Sequence, residues 1–77
     1  FQKNWLFQGS IADNIRLGRN NANTTEIAAV AKLAGLDTML TRLPDGFDTQ
    51  VGENGSSLSG GERQRITIAR ALLKKAP

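Results

Sequence analysis

Apolar positions recur at helical spacing in two stretches at the middle of the chain. They are Ile27, Val30, Ala31 and Ala34 in the first, and Leu36, Met39, Leu40 and Leu43 in the second. Residues three or four positions apart lie on one face of a helix, so each stripe predicts a helix with one buried side. The first helix is predicted to begin at Asn23 or Thr24 and to end at Gly35, and the second to cover about residues 37–43.

A longer helix is predicted at the end of the chain, over residues 63–76. Its apolar face carries Ile66, Ala69, Leu73 and Ala76, and it is widened by Ile68 and Leu72. Five of the ten basic residues lie on its other sides: Arg63, Arg65, Arg70, Lys74 and Lys75. No aromatic stacking pattern accompanies this charge, so we interpret it as a solvated helix face and expect no nucleic-acid partner.

A short helix is also predicted near the start of the chain. Ser10 can cap it, Ile11 and Ile15 form a narrow apolar stripe, and Gly18 can end it in a left-handed conformation. A turn is predicted at residues 44–46, because proline presets φ and glycine permits a positive φ. Residues 47–57, which carry glycines and an asparagine, are predicted to form a loop. The fold class predicted by these elements is mainly α, with about four helices.

Composition limits the chemistry that this chain can perform. Its 77 residues allow at most one small domain. There is no cysteine and no histidine, which excludes disulfides, thiolate or imidazole metal ligands and a histidine general base. The net charge is a modest +3, and no apolar run approaches the roughly 20 residues that cross a bilayer. The first residues carry no helix or turn signal, and the last predicted helix ends where a strand would naturally follow. We therefore expect an excerpt of a longer protein.

The start of the last helix is the strongest candidate for a binding site. Ser59 is a good N-cap, and with Glu62 three residues later it forms a capping box. Gly60 and Gly61 follow in the first turn, although glycine costs about 1 kcal/mol of helix propensity relative to alanine. A helix start that only needed a cap would seldom carry both. Bare amides at the positive end of the helix dipole predict an anion site.

Residues 58–65, Leu-Ser-Gly-Gly-Glu-Arg-Gln-Arg, resemble the signature motif of ATP-binding cassette (ABC) ATPases. Two further segments match the exporter type of this family. Residues 6–15 resemble the segment after its Q-loop, and residues 49–55 resemble its X-loop. The resemblance covers essentially the whole chain. It implies that residues 1–77 are the small helical subdomain of an α/β P-loop NTPase, running from the Q-loop to the signature helix.

The resemblance also implies roles for individual residues. In this family the signature of one nucleotide-binding domain closes over the γ-phosphate of ATP held by a second domain. The implied ATP-binding residues are Ser59, Gly60, Gly61 and Glu62. Gln2 matches the Q-loop glutamine that reaches Mg²⁺ and the attacking water, and is the only residue here expected near a metal. The residues implied to contact the membrane domains are Thr49, Val51, Gly52, Glu53 and Gly55. Glu62 replaces the more common glutamine but keeps the capping box.

The implied parent is a transporter at the cytoplasmic face of a membrane. ATP and Mg²⁺ are its cofactors, and its partners are transmembrane domains and a second nucleotide-binding domain, identical or different. ATP binding and hydrolysis at the dimer interface would drive export of a substrate that this segment does not identify. The chain has no Gly-x-x-x-x-Gly-Lys-Ser/Thr loop (Walker A) and no apolar strand ending in Asp-Glu (Walker B). We therefore expect it to be inactive alone.

Two alternatives stay open at this point. An ABC-type ATPase that acts on DNA, in repair or chromosome maintenance, shares the Leu-Ser-Gly-Gly signature. Residues 9–15 and 49–55 favour the exporter, because they match its other two segments. A helical interaction module with a chance signature is the second alternative.

Overall fold

The computed structural model describes residues 5–52 and 58–76 of the chain. These ranges contain four helices and one two-stranded sheet, so the mainly α class is confirmed. In chain order the elements are β1 Gly9–Ser10, α1 Ile11–Arg16, α2 Thr24–Leu33, α3 Asp37–Arg42, a 3₁₀ turn Gly46–Asp48, β2 Gln50–Val51 and α4 Gly60–Lys75. The predicted site residues Gln2, Glu53 and Gly55 lie outside the described residues.

Local sequence signals account for the ends of α2. The Asn23 side chain accepts a hydrogen bond from the Glu26 amide at 2.8 Å, and the Glu26 carboxylate accepts one from the Asn23 amide at 2.9 Å. This capping box starts the helix where the sequence predicts it. Gly35, at φ +81°, turns the chain out of the helix in a conformation that side chains disfavour. Both predicted ends are therefore confirmed.

Helix α1 begins as predicted, but its C-terminal glycine has a different role. The Ser10 hydroxyl caps the helix by accepting from the Asp13 amide at 2.9 Å. Gly18 is not left-handed, since the positive-φ glycines of the described chain are Gly35, Gly46 and Gly52. A side chain at Gly18 would instead collide with the backbone carbonyl of Arg70 in α4. The prediction for Gly18 is wrong because this glycine permits close helix packing.

Helix α4 packs against α1 and α2 through a narrow stripe. Ile66, Ala69 and Leu73 are completely buried, as predicted. Ile68 and Leu72 were expected to widen this face, but they are 38% and 36% exposed. Their place is taken by Thr67, which is fully buried and whose hydroxyl donates to the Gln64 carbonyl at 2.7 Å. Because a threonine can satisfy its hydroxyl within the helix, it is tolerated in the core.

A short antiparallel sheet joins two distant loops. Gly9 lies opposite Val51, and Ser10 lies opposite Gln50. Residues 47–57 were predicted to form a loop, so β2 was missed. Two-residue strands are too short to show an alternating pattern, and their pairing depends on contacts 40 residues apart in the chain. The consequence is that the start of residues 49–55 is fixed to the segment that begins α1.

Candidate functional site

The site begins with the cap of α4. The Ser59 hydroxyl accepts from the Glu62 amide at 3.1 Å, and the Glu62 carboxylate accepts from the Ser59 amide at 3.0 Å. The predicted capping box is thus confirmed. Leu58, the preceding residue, is buried, and its carbonyl accepts from the Arg63 guanidinium at 2.7 Å. The entry to the helix is consequently held on both sides of Ser59.

Two backbone donors at this helix start have no acceptor among the described residues. Gly60 and Gly61 are the first two residues of α4, and both are exposed. The first helical bond runs from the Arg63 amide to the Ser59 carbonyl at 3.0 Å. In the described part of the chain, nothing accepts from the amides of Gly60 and Gly61. The Ser59 hydroxyl can also donate, since it uses only a lone pair in the cap. Three donors can therefore face one ligand.

The fold itself does not require glycine at these two positions. Among the described residues, a Cβ at Gly60 would meet nothing within 4 Å, and one at Gly61 would meet only the Ser59 hydroxyl oxygen, 3.9 Å away. Neither glycine has a positive φ. Because glycine disfavours the helix and the backbone permits alanine, packing gives no reason for this pair. Close approach of a group from outside the chain does give one.

A carboxylate and a guanidinium flank the free donors. Arg42, the last residue of α3, places its Nη2 atom 2.6 Å from Oε2 of Glu62. The hydrogen bond from the Ser59 amide and the neighbouring Arg42 guanidinium lower the pKa of Glu62. Glu62 is therefore ionised at neutral pH, and its charge is paired. No role for Arg42 was predicted from the sequence, because 17 residues separate α3 from α4 in the chain.

A buried asparagine ties the segment before α1 to that helix. Asn14 is completely buried, although its side chain is polar. Its Oδ1 atom accepts from the Phe7 amide at 2.9 Å, and its Nδ2 atom donates to the carbonyls of Phe7 at 3.2 Å and Ser10 at 2.9 Å. The sequence signal for this role was a polar residue directly before Ile15, which belongs to the apolar stripe. The role of Asn14 was not predicted.

Arg70 extends this network to the signature helix. Its Nε atom donates to the Asn14 carbonyl at 3.0 Å, and Nη2 donates to the Trp5 carbonyl at 3.4 Å. Burial lowers the pKa of Arg70, which nonetheless stays protonated at neutral pH. The interpretation of Arg70 as part of a solvated face is wrong, because α1 covers that side of α4. The other four basic residues of the helix are exposed.

The first residues of the segment 49–55 are built into the fold. Thr49 is buried, and its hydroxyl donates to the Gly46 carbonyl at 2.7 Å. Val51 is fully buried in the short sheet. Gly52 has φ +101°, and a Cβ there would come within 2.8 Å of the Gln8 Cα atom. These three residues are therefore fixed in the fold by burial, by a hydrogen bond or by close backbone contact.

The described residues offer no metal-binding cluster of three or more acidic, histidine or cysteine side chains. Likewise, none of the helices seen in residues 5–52 and 58–76 has the length and hydropathy to cross a membrane. The capped helix start with its free amides is the chemical feature that remains. It suits an anion.

A mainly helical fold with an anion site at a capped helix start is compatible with a segment of an ABC ATPase, and comparison with known proteins shows the family. The sequence profile described as "ABC transporter" matches residues 1–77, so the chain belongs to the ABC transporter family. The resemblance found from the signature is thereby confirmed.

Two curated relatives are close in sequence. The mycobactin import ATP-binding/permease protein IrtB of Mycolicibacterium thermoresistibile is 53% identical over 77 residues, which are 100% of this chain and 13% of that protein. The ATP-dependent lipid A-core flippase of Legionella pneumophila (strain Lens) is 57% identical over 72 residues, 94% of this chain and 12% of the relative. The chain spans 12–13% of the length of these relatives.

Proposed function

We propose that this chain is the helical subdomain of a transporter's nucleotide-binding domain, and that the start of α4 grips the γ-phosphate of ATP carried by a second such domain. The observation that supports this most is the pair of exposed glycines with free amides, which the fold itself does not require. Glu62, in the same turn, completes the cap that orients the Ser59 hydroxyl. In this proposal residues 1–77 form part of the domain, and the Walker A and Walker B segments lie elsewhere.

Hydrogen bonding supplies the driving force for closure. A hydrogen bond to a charged group contributes about 1.5–3 kcal/mol. The Ser59 hydroxyl and the amides of Gly60 and Gly61 can donate three of them to a phosphate. These bonds form only when a second domain brings its ATP, so they stabilise the closed dimer. Hydrolysis removes the γ-phosphate from the bound nucleotide, which releases the contact and lets the dimer open.

The remaining predicted residues are assigned to sensing and coupling. Gln2 is proposed to reach Mg²⁺ and the attacking water. Contact with the membrane domains is proposed for Thr49, Val51, Gly52, Glu53 and Gly55. The amide and carbonyl of Phe7 are both bonded to the Asn14 side chain, and the Asn14 carbonyl accepts from Arg70 of α4. This network is proposed to couple the segment before α1 to α4.

Transport is the activity that the relatives favour. One relative is named an ATP-binding/permease protein and the other an ATP-dependent flippase. We therefore propose a parent that couples ATP hydrolysis to movement of a substrate, at the cytoplasmic face of a membrane and together with transmembrane domains. Export stays a prediction, since the two names describe import and flipping. The DNA-acting alternative has no support from the family profile or from these two relatives.

The purified 77-residue chain is expected to hydrolyse no ATP, because it lacks the phosphate-binding loop and the acidic strand end. The full-length parent in lipid vesicles is expected to release phosphate from ATP and to move its substrate. Phosphate release by both preparations, measured at equal molar concentration, tests the proposal. Turnover by the isolated chain at the rate of the parent would contradict it, as would a parent that hydrolyses no ATP.

A further inference from the structure

The carboxylate of Glu62 lies in the same helical turn as the free amides. Both of its oxygens are engaged, Oε1 by the Ser59 amide at 3.0 Å and Oε2 by Arg42 at 2.6 Å. The side chain is therefore fixed in place, with its negative charge beside the amides of Gly60 and Gly61. An anionic ligand that approaches these amides must come close to that charge.

The cation that offsets this charge comes from a different helix. In the described part of the chain, Arg42 at the end of α3 is the residue that forms an ion pair with Glu62. Arg63 lies next to Glu62 in sequence, but its Nη1 atom is engaged by the Leu58 carbonyl at 2.7 Å. Arg42 is about half exposed, so the pair contributes little to folding stability. Its position next to the ligand donors suggests another use.

We propose that Arg42 is a positioning residue of the signature, which neutralises and holds Glu62 so that the carboxylate does not repel the incoming triphosphate. This inference rests on the proposed function of the helix start. Without Arg42, the Glu62 charge is free to move toward the phosphate, and repulsion weakens binding. Glutamine at the same position would keep the hydrogen bond to the Ser59 amide and carry no charge. The need for Arg42 is therefore a consequence of having glutamate at position 62.

A double-mutant cycle in the full-length transporter tests this inference. We expect Arg42→Gln to raise the KM for ATP about three- to tenfold with little change in kcat, because a pair this exposed is partly screened. When Arg42→Gln is added to the Glu62→Gln variant, the KM for ATP is expected to stay equal to that of the Glu62→Gln variant. The matched control is Lys75→Gln, which removes the same charge about 20 Å along α4 and should not change KM.

Three results separate the possible outcomes of this cycle. An Arg42→Gln variant with unchanged KM would overturn the inference. So would an equal rise of KM in both backgrounds, because Arg42 would then act on the nucleotide or the fold without Glu62. Gly60→Asp, measured in parallel, reports on the proposed function itself. If Gly60→Asp also leaves hydrolysis intact, the assigned role of the helix start has failed, and not only the role of Arg42.

Discussion

Gly60→Asp in the full-length transporter is expected to reduce ATP hydrolysis by about 100-fold or more, with no loss of folding stability. The new carboxylate would stand among the donors that face the γ-phosphate, and it would repel the ligand as well as block it. A Cβ at Gly60 has open space within 4 Å, so the fold accepts the change. Aspartate in the first turn even favours the helix dipole. Phosphate release and thermal unfolding of the same preparation measure both effects.

The combination of intact folding and lost activity distinguishes a ligand site from a structural glycine. Gly60→Ala is the matched control, since it adds a side chain without charge. It is expected to stabilise the domain by about 0.5 kcal/mol and to reduce hydrolysis less than aspartate does. Ser59→Arg should reduce hydrolysis as Gly60→Asp does, and it should also cost about 1 kcal/mol of stability because it removes the N-cap. Wild-type hydrolysis in the Gly60→Asp and Ser59→Arg variants would contradict the role given to the helix start.

Asn14→Ala is expected to destabilise the domain by about 3 kcal/mol. The change removes four hydrogen bonds from a fully buried side chain, including the one that Oδ1 accepts from Arg70 at 3.4 Å. It leaves the amide and carbonyl of Phe7 without the partner that the asparagine supplied. Chemical denaturation of the complete nucleotide-binding domain, with the midpoint and slope fitted together, measures the loss.

The neighbouring residue provides the control for this prediction. Asp13 is exposed and makes an ion pair with Arg16 at 3.2 Å on the same helix. Asp13→Ala should cost less than about 1 kcal/mol, because exposed ion pairs contribute little. Equal stability of the Asn14→Ala and Asp13→Ala variants would show that the buried network does not stabilise the domain.

The features that were predictable from the sequence depend on local signals. The N-cap of α2 at Asn23 follows from a capping box, and the end of the helix before Gly35 follows from a left-handed glycine. The cap of α4 and its paired glycines follow from a motif of four residues. Each of these signals lies within one turn of the helix end that it defines. Sequence reasoning therefore found the helix ends and the candidate ligand donors together.

The missed features depend on contacts between distant parts of the chain. Arg70 is a polar residue on a basic helix face until α1 packs over it and presents the Asn14 carbonyl. Gly18 is a residue type that often ends helices, but here its lack of a side chain allows α4 to pack closely against it. Arg42 meets Glu62 only because α3 ends beside the start of α4. Helical periodicity in a single sequence carries no information about such pairings.

Covalent labelling of position 59 by a reactive ATP analogue tests most directly whether the start of α4 binds the ATP of a second domain. The chain has no cysteine, so Ser59→Cys introduces a single thiol into this segment, at the helix start. Hybrid dimers of the full-length transporter would then be treated with an ATP analogue that carries a thiol-reactive group on its γ-phosphate. The subunit with Ser59→Cys should lose labelling when its partner's phosphate-binding loop is disrupted, and keep it when its own loop is disrupted. Labelling that depends on the subunit's own loop would contradict a grip on the neighbour's ATP.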